Sequence, residues 1–377
     1  MATEELQVSQ VPVPQEDHMP VHGIDHLELY VGNAAQAAYW YERAMGFEEV
    51  AYCGLETGRR DRVSHVLEQG RIRIVLTGTL QGDDEIGDHH RHHGDGVVDI
   101  ALSVPDAAQA YWTAVEHGAR GIATPEWTED DHGRVQVAAI ATYGETRHTF
   151  VQREEYHGAF LPGFEKRGEP NRGGDNLLLG IDHVVGNVHL GHMEEWVHFY
   201  ERVFGMTEMI HFSDEEISTE YSALMSKVVT DGHGRLKFPI NEPAQGKRKS
   251  QIDEYLEFYR GAGVQHVALA TTDIVETVSE LRDRGVSFLA TPESYYDEVP
   301  GRVGRIDEDI ADLQRLGILA DRDDEGYLLQ IFSRPVGDRP TMFFEMIERH
   351  GSRGFGEGNF KALFEAIERE QAKRGNL

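Results

Sequence analysis

The stretch Gly261–Ala270, with the sequence GAGVQHVALA, has the pattern of a buried strand that two polar residues, Gln265 and His266, interrupt. A buried polar group without a partner costs about 1–3 kcal/mol, so we expect His266 to have a partner. We interpret that partner as a metal ion. The two further ligands that we expect are His183 and Glu345, which lie in other segments with a strand pattern.

The same stretch is one copy of an internal repeat. GDGVVDIALS, at Gly94–Ser103, matches it, and further matches at the same offset follow both copies. An earlier pair of GIDH segments, at Gly23–His26 and Gly180–His183, marks a second point of similarity. Internal similarity of this kind indicates two homologous halves.

The repeat predicts two domains, residues 21–156 and residues 177–377, joined by a segment rich in glycine, proline and charge. In each half a short strand is followed by an amphipathic helix and several strands. We expect an α+β fold in which each domain is a pair of βαβββ modules that forms an open, mostly antiparallel, barrel-like sheet with helices outside. The first twenty residues are polar and punctuated by proline, and we expect a weakly ordered leader there.

Composition excludes several classes of partner. The 377 residues include 36 basic and 66 acidic ones, for a formal charge of −30, which repels nucleic acid and anionic membrane surfaces. A single cysteine excludes an intramolecular disulfide and fits a reducing compartment. No apolar run is long enough to span a bilayer. We therefore expect a cytoplasmic protein.

Glu345 lies in the segment TMFFEMIERH, where it shares one strand face with apolar residues and so requires a counter-charge. Two histidines and one carboxylate from three strands suit an iron(II) facial triad with open positions for substrate and oxygen. In the first half, Asp99 occupies the position that corresponds to His266. The position of Glu345 is occupied by Thr149, or by Val151 if the last strand has a different register. Packing alone therefore does not require the triad.

Other histidines have simpler interpretations. A lone histidine on a strand face is usually a hydrogen-bonded structural residue. We interpret His26 in this way because the first half lacks the two further metal ligands. The cluster His89, His90, His92 and His93 precedes a glycine-rich turn, and we interpret it as a solvated loop rather than a metal site. No Walker A loop, dinucleotide fingerprint, nucleophile elbow or paired-cysteine zinc motif competes.

Long motifs of the second half carry a family resemblance. NEPAQGKRKSQIDEYLEFYRGAGVQHVAL, DEGYLLQIFSRPVGDRP, FFEMIERHG and GFGEGNFKALFEAIEREQAKRGNL resemble the 4-hydroxyphenylpyruvate dioxygenases of the vicinal-oxygen-chelate superfamily. GDGVVD and IATYGETRHTFV extend the resemblance more loosely to the first half. The match covers nearly all of the second half.

The resemblance implies an enzyme that converts 4-hydroxyphenylpyruvate and dioxygen to homogentisate and carbon dioxide in the catabolism of tyrosine and phenylalanine. It places one iron(II) ion per chain on His183, His266 and Glu345, in the second domain, and leaves the first domain without a metal. Decarboxylation of the 2-oxo acid supplies electrons internally, which fits the lack of a flavin or nicotinamide motif. We expect a homo-oligomer, either a dimer or a tetramer.

The resemblance also implies polar contacts to the substrate. In a regular strand, the residue beside His266 would point to the opposite face, where it would make an ordinary hydrogen bond. The family nonetheless places several amides and a hydroxyl around the substrate. They belong to Gln251, Gln265, Asn241, Ser226 and Gln330.

Four phenylalanines, Phe332, Phe343, Phe355 and Phe360, are implied to stack on the substrate ring, with Asn359 beside them. The alternative is that these aromatics belong to the core. Phe360, which we also count among the catalytic residues, begins an amphipathic C-terminal helix after a glycine-rich segment. We interpret this helix as a lid; the alternative is a helix that only packs on the sheet.

Two alternative functions stay open. Hydroxymandelate synthase is a relative that uses the same substrate but oxidises its side-chain carbon, and it has a smaller aliphatic residue where this chain has Phe360. The phenylalanine therefore favours attack on the ring. A non-enzymatic binding protein of the same fold is the other alternative, and the complete triad argues against it.

Overall fold

The structure is a computed structural model that describes residues 19–169, 176–212, 224–244 and 249–375. The predicted leader lies almost wholly outside the described residues. The first half contains β1 (Gly23–Tyr30), α1 (Ala34–Arg43), β2 (Glu48–Cys53), β3 (Arg62–Gln69), β4 (Ile72–Thr79), α2 (Glu85–His93), β5 (Gly96–Ser103), α3 (Ala107–Glu116), β6 (Gly121–Asp130), β7 (Gly133–Ala141), β8 (Arg147–Gln152) and β9 (Glu165–Lys166).

The second half repeats this order of elements, with two added helices before its last three strands. It contains β10 (Gly180–Asn187), α4 (Met193–Phe204), β11 (Thr207–Phe212), β12 (Leu224–Thr230), β13 (Lys237–Pro243), α5 (Gln251–Tyr259), β14 (Gly263–Ala270), α6 (Ile274–Asp283), α7 (Glu293–Arg302), α8 (Ile310–Leu316), β15 (Leu319–Arg322), β16 (Tyr327–Phe332), β17 (Phe343–His350) and α9 (Phe360–Lys373).

Each half forms one curved mixed sheet. The strand order is β6-β7-β8-β5-β1-β4-β3-β2-β9 in the first sheet and β11-β12-β13-β10-β14-β17-β16-β15 in the second. Parallel pairing occurs between β1 and β4, β5 and β8, β10 and β13, and β14 and β17, and the other described pairs are antiparallel. The predicted α+β class, with two repeated halves of βαβββ modules and helices outside, is confirmed. Strand β9 extends the first sheet past residue 156.

The central strands of the two halves have the same register. His26 opposes Ala101 in the first half, as His183 opposes Ala268 in the second. A β-bulge follows in each pair, and its extra residue is Val98 in β5 or Gln265 in β14. The two sheets therefore share their irregularities as well as their order of strands.

Capping residues set the ends of the helices. Asp273 is the N-cap of α6, and its side chain accepts a hydrogen bond of 2.8 Å from the backbone N–H of Glu276. On α4, Tyr200 and Val203 are fully buried, as its apolar periodicity indicates. Among the described residues, no helix has both the length and the apolar character needed to cross a bilayer.

The interpretation of the histidine cluster as a solvated loop is wrong. His89 to His93 form the C-terminal half of α2, which Asp84 caps at its N-terminus and Gly94, with a φ of 76°, ends. His89 and His93 lie one helical turn apart, are both buried, and face the turn between β7 and β8. His92 points to solvent.

Candidate active site

The three predicted ligands come from three neighbouring strands. His183 lies on β10, His266 on β14 and Glu345 on β17. Ala268 of β14 opposes both His183 and Glu345, so these two side chains project from the same face of the sheet. His266 precedes Ala268 by two residues and shares that face because strand side chains alternate. The pairing of the strands brings the triad together.

The geometry of this cluster fits a metal centre. Oε2 of Glu345 lies 3.2 Å from Nε2 of His183 and 3.4 Å from Nε2 of His266. Metal bonds of about 2.0–2.2 Å place adjacent ligand atoms about 3 Å apart, close to these values. All three side chains are buried. Ligands on a single face of the metal would leave its other positions open toward the cavity.

A second set of side chains orients His183. Its Nδ1 donates to Oδ1 of Asp182 over 2.8 Å, which directs Nε2 toward the cavity. Arg349 donates to both oxygens of Asp182, at 2.8 and 2.9 Å, and Lys237 lies 3.2 Å from each oxygen. Burial alone would raise the pKa of Asp182, but its hydrogen bond with His183 and its pair with Arg349 hold that pKa far below its usual range. Asp182 is therefore a permanent anion behind the ligand.

Gln265 lies on the same side of the sheet as His266, and the expectation that it would point to the opposite face is wrong. The bulge between β10 and β14 makes Gln265 the extra residue, which breaks the alternation of side chains. Oε1 of Gln265 lies 3.0 Å from Nδ1 of His266, and the Gln265 side chain also lines the cavity. The bulge thus supplies a ligand and its orienting partner from consecutive residues.

Glu345 is held in the charged form. Burial by itself would raise the pKa of this carboxyl group, but His183 and His266 lower it to about 2. Each imidazole turns Nε2 toward the carboxylate. The cluster therefore offers one anionic oxygen and two nitrogens, the donor set of a facial triad.

A largely apolar cavity adjoins the cluster, and it contains eight of the ten other predicted site residues. Beside the triad, its lining consists of Val185, Leu224, Ser226, Val228, Pro239, Asn241, Gln251, Gln265, Phe332, Phe343, Phe355, Phe360, Leu363 and Phe364.

Aromatic rings stand next to both histidine ligands. Phe343 stacks on His266 with ring centroids 4.9 Å apart and an angle of 17° between planes, and Phe355 meets the edge of His183 at 5.0 Å. Of the lining residues that sequence reasoning missed, Val185 follows His183 by two positions on β10, and this period-2 spacing could have identified it.

Two predicted residues, Gln330 and Asn359, are not among the lining residues. The Gln330 amide packs so closely on Gly356 that a Cβ atom there would lie 2.5 Å from it. Oδ1 of Asn359 accepts hydrogen bonds from the Tyr295 hydroxyl at 2.6 Å and from Arg302 at 3.2 Å. Both side chains therefore hold the segment that leads into α9.

Helix α9 covers one side of the cavity. Phe360 and Phe364, one helical turn apart, line the cavity together with Leu363. At the far end, Arg374 donates to both oxygens of Glu254 on α5, at 3.1 and 2.6 Å. The helix is thus fixed at both ends above the triad.

The equivalent positions of the first half hold a different arrangement. His26 donates from Nδ1 to Asp25 over 2.6 Å, which confirms its interpretation as a hydrogen-bonded structural residue. Asp99 accepts from the Thr149 backbone N–H at 3.0 Å and from Arg147 at 2.8 Å. The strand register places Thr149, not Val151, at the position of Glu345.

Comparisons with family profiles, with curated proteins and with solved structures agree. The profile of the Glyoxalase/Bleomycin resistance protein/Dioxygenase superfamily matches residues 23–150 and 180–331. A 4-hydroxyphenylpyruvate dioxygenase of Dictyostelium discoideum is 49% identical over 95% of this chain and 100% of that protein, and one of Aspergillus fumigatus is 46% identical over 94% of both chains. The structure of a mutant 4-hydroxymandelate synthase from Streptomyces coelicolor superimposes with a TM-score of 0.83 at 35% identity, covering 94% of this chain and 100% of that one.

Proposed function

The chain belongs to the Glyoxalase/Bleomycin resistance protein/Dioxygenase superfamily and, within it, to the 4-hydroxyphenylpyruvate dioxygenases, and we propose that His183, His266 and Glu345 hold its iron(II) ion. The enzyme is an oxidoreductase that converts 4-hydroxyphenylpyruvate and dioxygen to homogentisate and carbon dioxide. The observation that carries this function is a buried set of two imidazoles and one carboxylate that opens on an aromatic cavity.

The donor set suits iron(II), with one ion per chain. Two neutral nitrogens and one carboxylate oxygen on one face are the usual ligands of non-haem iron in oxygenases. When bound, iron(II) supplies positions for the 2-oxo acid and dioxygen and the electrons that begin oxygen reduction. The protein's own part is to orient the ligands, through Asp182 and Gln265, and to position the substrate.

Polar residues of the cavity are proposed to orient the substrate. Ser226 on β12 opposes Asn241 on β13, so their side chains share one face of the sheet. Gln251 begins α5, and Gln265 lies beside the metal ligand. In a lining that is otherwise mainly apolar, these groups can hold the phenol and orient the 2-oxo acid.

The phenylalanines are proposed to hold the substrate ring and exclude water. Phe332, Phe343, Phe355 and Phe360 all line the cavity, where a substrate ring can stack on them. Helix α9 adds further apolar cover above the triad. Exclusion of water from the cavity protects the intermediates of the reaction from side reactions.

Ring attack is favoured over side-chain oxidation by Phe360. Phe360, at the start of α9, occupies part of the cavity that adjoins the triad, which restricts how the substrate side chain and ring can lie. 4-Hydroxymandelate synthase remains the second candidate because a structure of that enzyme superimposes along almost the whole chain.

Product identification tests the function. The iron(II)-loaded protein is incubated with 4-hydroxyphenylpyruvate in air, and the products are separated and identified by mass and retention. We expect homogentisate together with one equivalent of carbon dioxide. Glu345→Gln is the matched control and should yield neither product, because it removes the anionic ligand. Formation of 4-hydroxymandelate instead would contradict the proposed reaction.

The setting of the enzyme is also a proposal. We place it in the cytoplasm, on account of its acidic surface and single cysteine, and we expect a homo-oligomer, a dimer or a tetramer. We divide the chain into a domain without the iron site at residues 21–156 and a catalytic, iron-binding domain at residues 177–377. Light scattering of the purified full chain measures the number of subunits, and a mass of one chain would contradict the proposed assembly.

A further inference from the structure

A second group of potential metal ligands lies in the first half, where α2 meets the turn between β7 and β8. His89 and His93 of α2 face Glu145 of that turn. The two imidazoles are buried, whereas the Glu145 side chain is 61% exposed. One ligand atom from each residue lies within 4.8 Å of the others. The group is separate from the triad and has no part in the proposed reaction.

The separations between Glu145 and the two histidines match a tetrahedral metal site. Oε2 of Glu145 lies 3.2 Å from Nδ1 of His89 and 3.3 Å from Nε2 of His93. Zinc bonds of about 2.0–2.1 Å place the ligand atoms of a tetrahedron about 3.3 Å apart. The exposure of Glu145 leaves room for water at a fourth position.

The orientation of His93 is that of a metal ligand. Its Nδ1 donates to the backbone carbonyl oxygen of Tyr259, which leaves the lone pair on Nε2. Within the described part of the chain, this Nε2 atom is buried and has no hydrogen-bond partner, although it faces Glu145. An imidazole that is fixed through one nitrogen and free at the other is typical of metal sites.

His89 adds a second nitrogen to the group. Its ring centroid lies 4.5 Å from that of His93, and its Nδ1 faces the same carboxylate oxygen of Glu145 that Nε2 of His93 faces. Glu145, the third member, supplies a carboxylate oxygen.

We propose that His89, His93 and Glu145 bind a zinc ion, with water as the fourth ligand. Imidazole nitrogens and one carboxylate oxygen in tetrahedral geometry are ligands that zinc accepts readily. His93 is bonded to Tyr259, at the end of α5, so the ion fixes α2 and the β7–β8 turn of the first half against the second half.

The number of bound metal ions tests the proposal. The iron-loaded full chain is equilibrated with zinc and dialysed, and iron and zinc are then counted together by elemental analysis. This sum is insensitive to exchange of zinc for iron at the triad. We expect two ions per chain in the wild type, one in His93→Ala and two in His92→Ala, an exposed position on the same helix. A sum of one in the wild type would overturn the proposal.

A second variant guards against misfolding of His93→Ala. Glu145→Gln changes an exposed side chain and should leave the fold intact, while it weakens zinc binding by about tenfold or more because it removes the anionic ligand. Zinc should raise the Tm of the wild type and of His92→Ala but not that of Glu145→Gln. If Glu145→Gln and His93→Ala both keep two ions, the second ion lies elsewhere, for example at Glu308, Glu348 and His350, and the assignment is wrong.

Discussion

The two halves place different chemistry on the same three strand positions. In the second sheet, His183, His266 and Glu345 surround a site for a cation. In the first sheet, the position of His266 is taken by Asp99, which is neutralised by an arginine instead. Each half thus contains a buried carboxylate, which pairs with a guanidinium in the first half and lies beside two imidazoles, as one of the proposed metal ligands, in the second.

The residue opposite the second histidine position differs between the two halves. Arg147 opposes Asp99 in the first sheet, as Phe343 opposes His266 in the second. Arg147 donates to both Asp99 and Glu28, at 2.8 Å each, and so occupies the space between these carboxylates. In the first half, the ion pair of Arg147 and Asp99 therefore fills the space that corresponds to the proposed metal and substrate site of the second half.

The largest effect, on turnover, is expected when a histidine ligand is removed from the second half and compared with removal of a histidine from the first half. His266→Ala should reduce turnover by about a thousandfold or more, because the metal loses one of three ligands. His26→Ala, the matched change in the first half, should leave turnover per folded molecule unchanged. Oxygen consumption and iron content of both variants measure the difference. Retained turnover in His266→Ala would break the assignment of the triad.

Removing the arginine of the first half should affect stability rather than activity. Arg147→Met leaves Asp99 and Glu28 buried without their shared cation, at a cost of about 3 kcal/mol in free energy of unfolding. Arg134→Met, which breaks an exposed pair with Glu155 in the same half, should change little. Urea titration compares the two variants. Equal midpoints would show that the buried network does not stabilise the first half.

The attachment of α9 is expected to have a smaller and local effect. Arg374→Met leaves the Glu254 carboxylate, which is 3% exposed, without its bidentate partner and should lower the local opening free energy of α9 by about 1–3 kcal/mol. Lys373→Met removes only an exposed pair with Glu370 and serves as the control. Hydrogen exchange measures opening of the helix in both. Unchanged protection in Arg374→Met would contradict the role of this pair.

The smallest effect concerns a contact between the halves. His148 donates from Nδ1 to the Ile100 carbonyl oxygen over 2.9 Å and accepts at Nε2 from the Tyr200 hydroxyl over 2.9 Å, and burial lowers its pKa. The unfolded chain therefore binds the proton more tightly, and this contribution to stability is lost as the pH falls below about 6.5. Unfolding of His148→Gln should depend less on pH between 7.5 and 5.5 than that of the wild type. If the free energy of unfolding changes with pH equally in both proteins, the proposed effect of His148 protonation on stability is wrong.

The triad was predictable because both its residues and its strands are visible in the sequence. The repeat aligned His266 with Asp99, and the alternation around Glu345 identified its face before any pairing was known. The resemblance then identified eight residues that the structure brings to the cavity. Strand alternation and the comparison between the two repeats were sufficient to predict the triad.

Other features depend on contacts between distant segments. The orientation of Gln265 follows from a bulge that exists only when β10 and β14 pair, and no local signal marks it. The helix signals around the histidine cluster, Asp84 and Gly94, were present but were outweighed by the polar composition. Burial of His93 arises from α5 of the other half, which the sequence of α2 does not report.

The shared bulge has a historical consequence. Because Val98 and Gln265 are the extra residues at equivalent places, the simplest account puts this insertion in a single ancestral unit, before its gene duplicated. The ancestor then already presented two consecutive side chains to one side of its sheet. Later substitutions at those two codons were enough to give one descendant a ligand with its own orienting amide, without any further change in chain length.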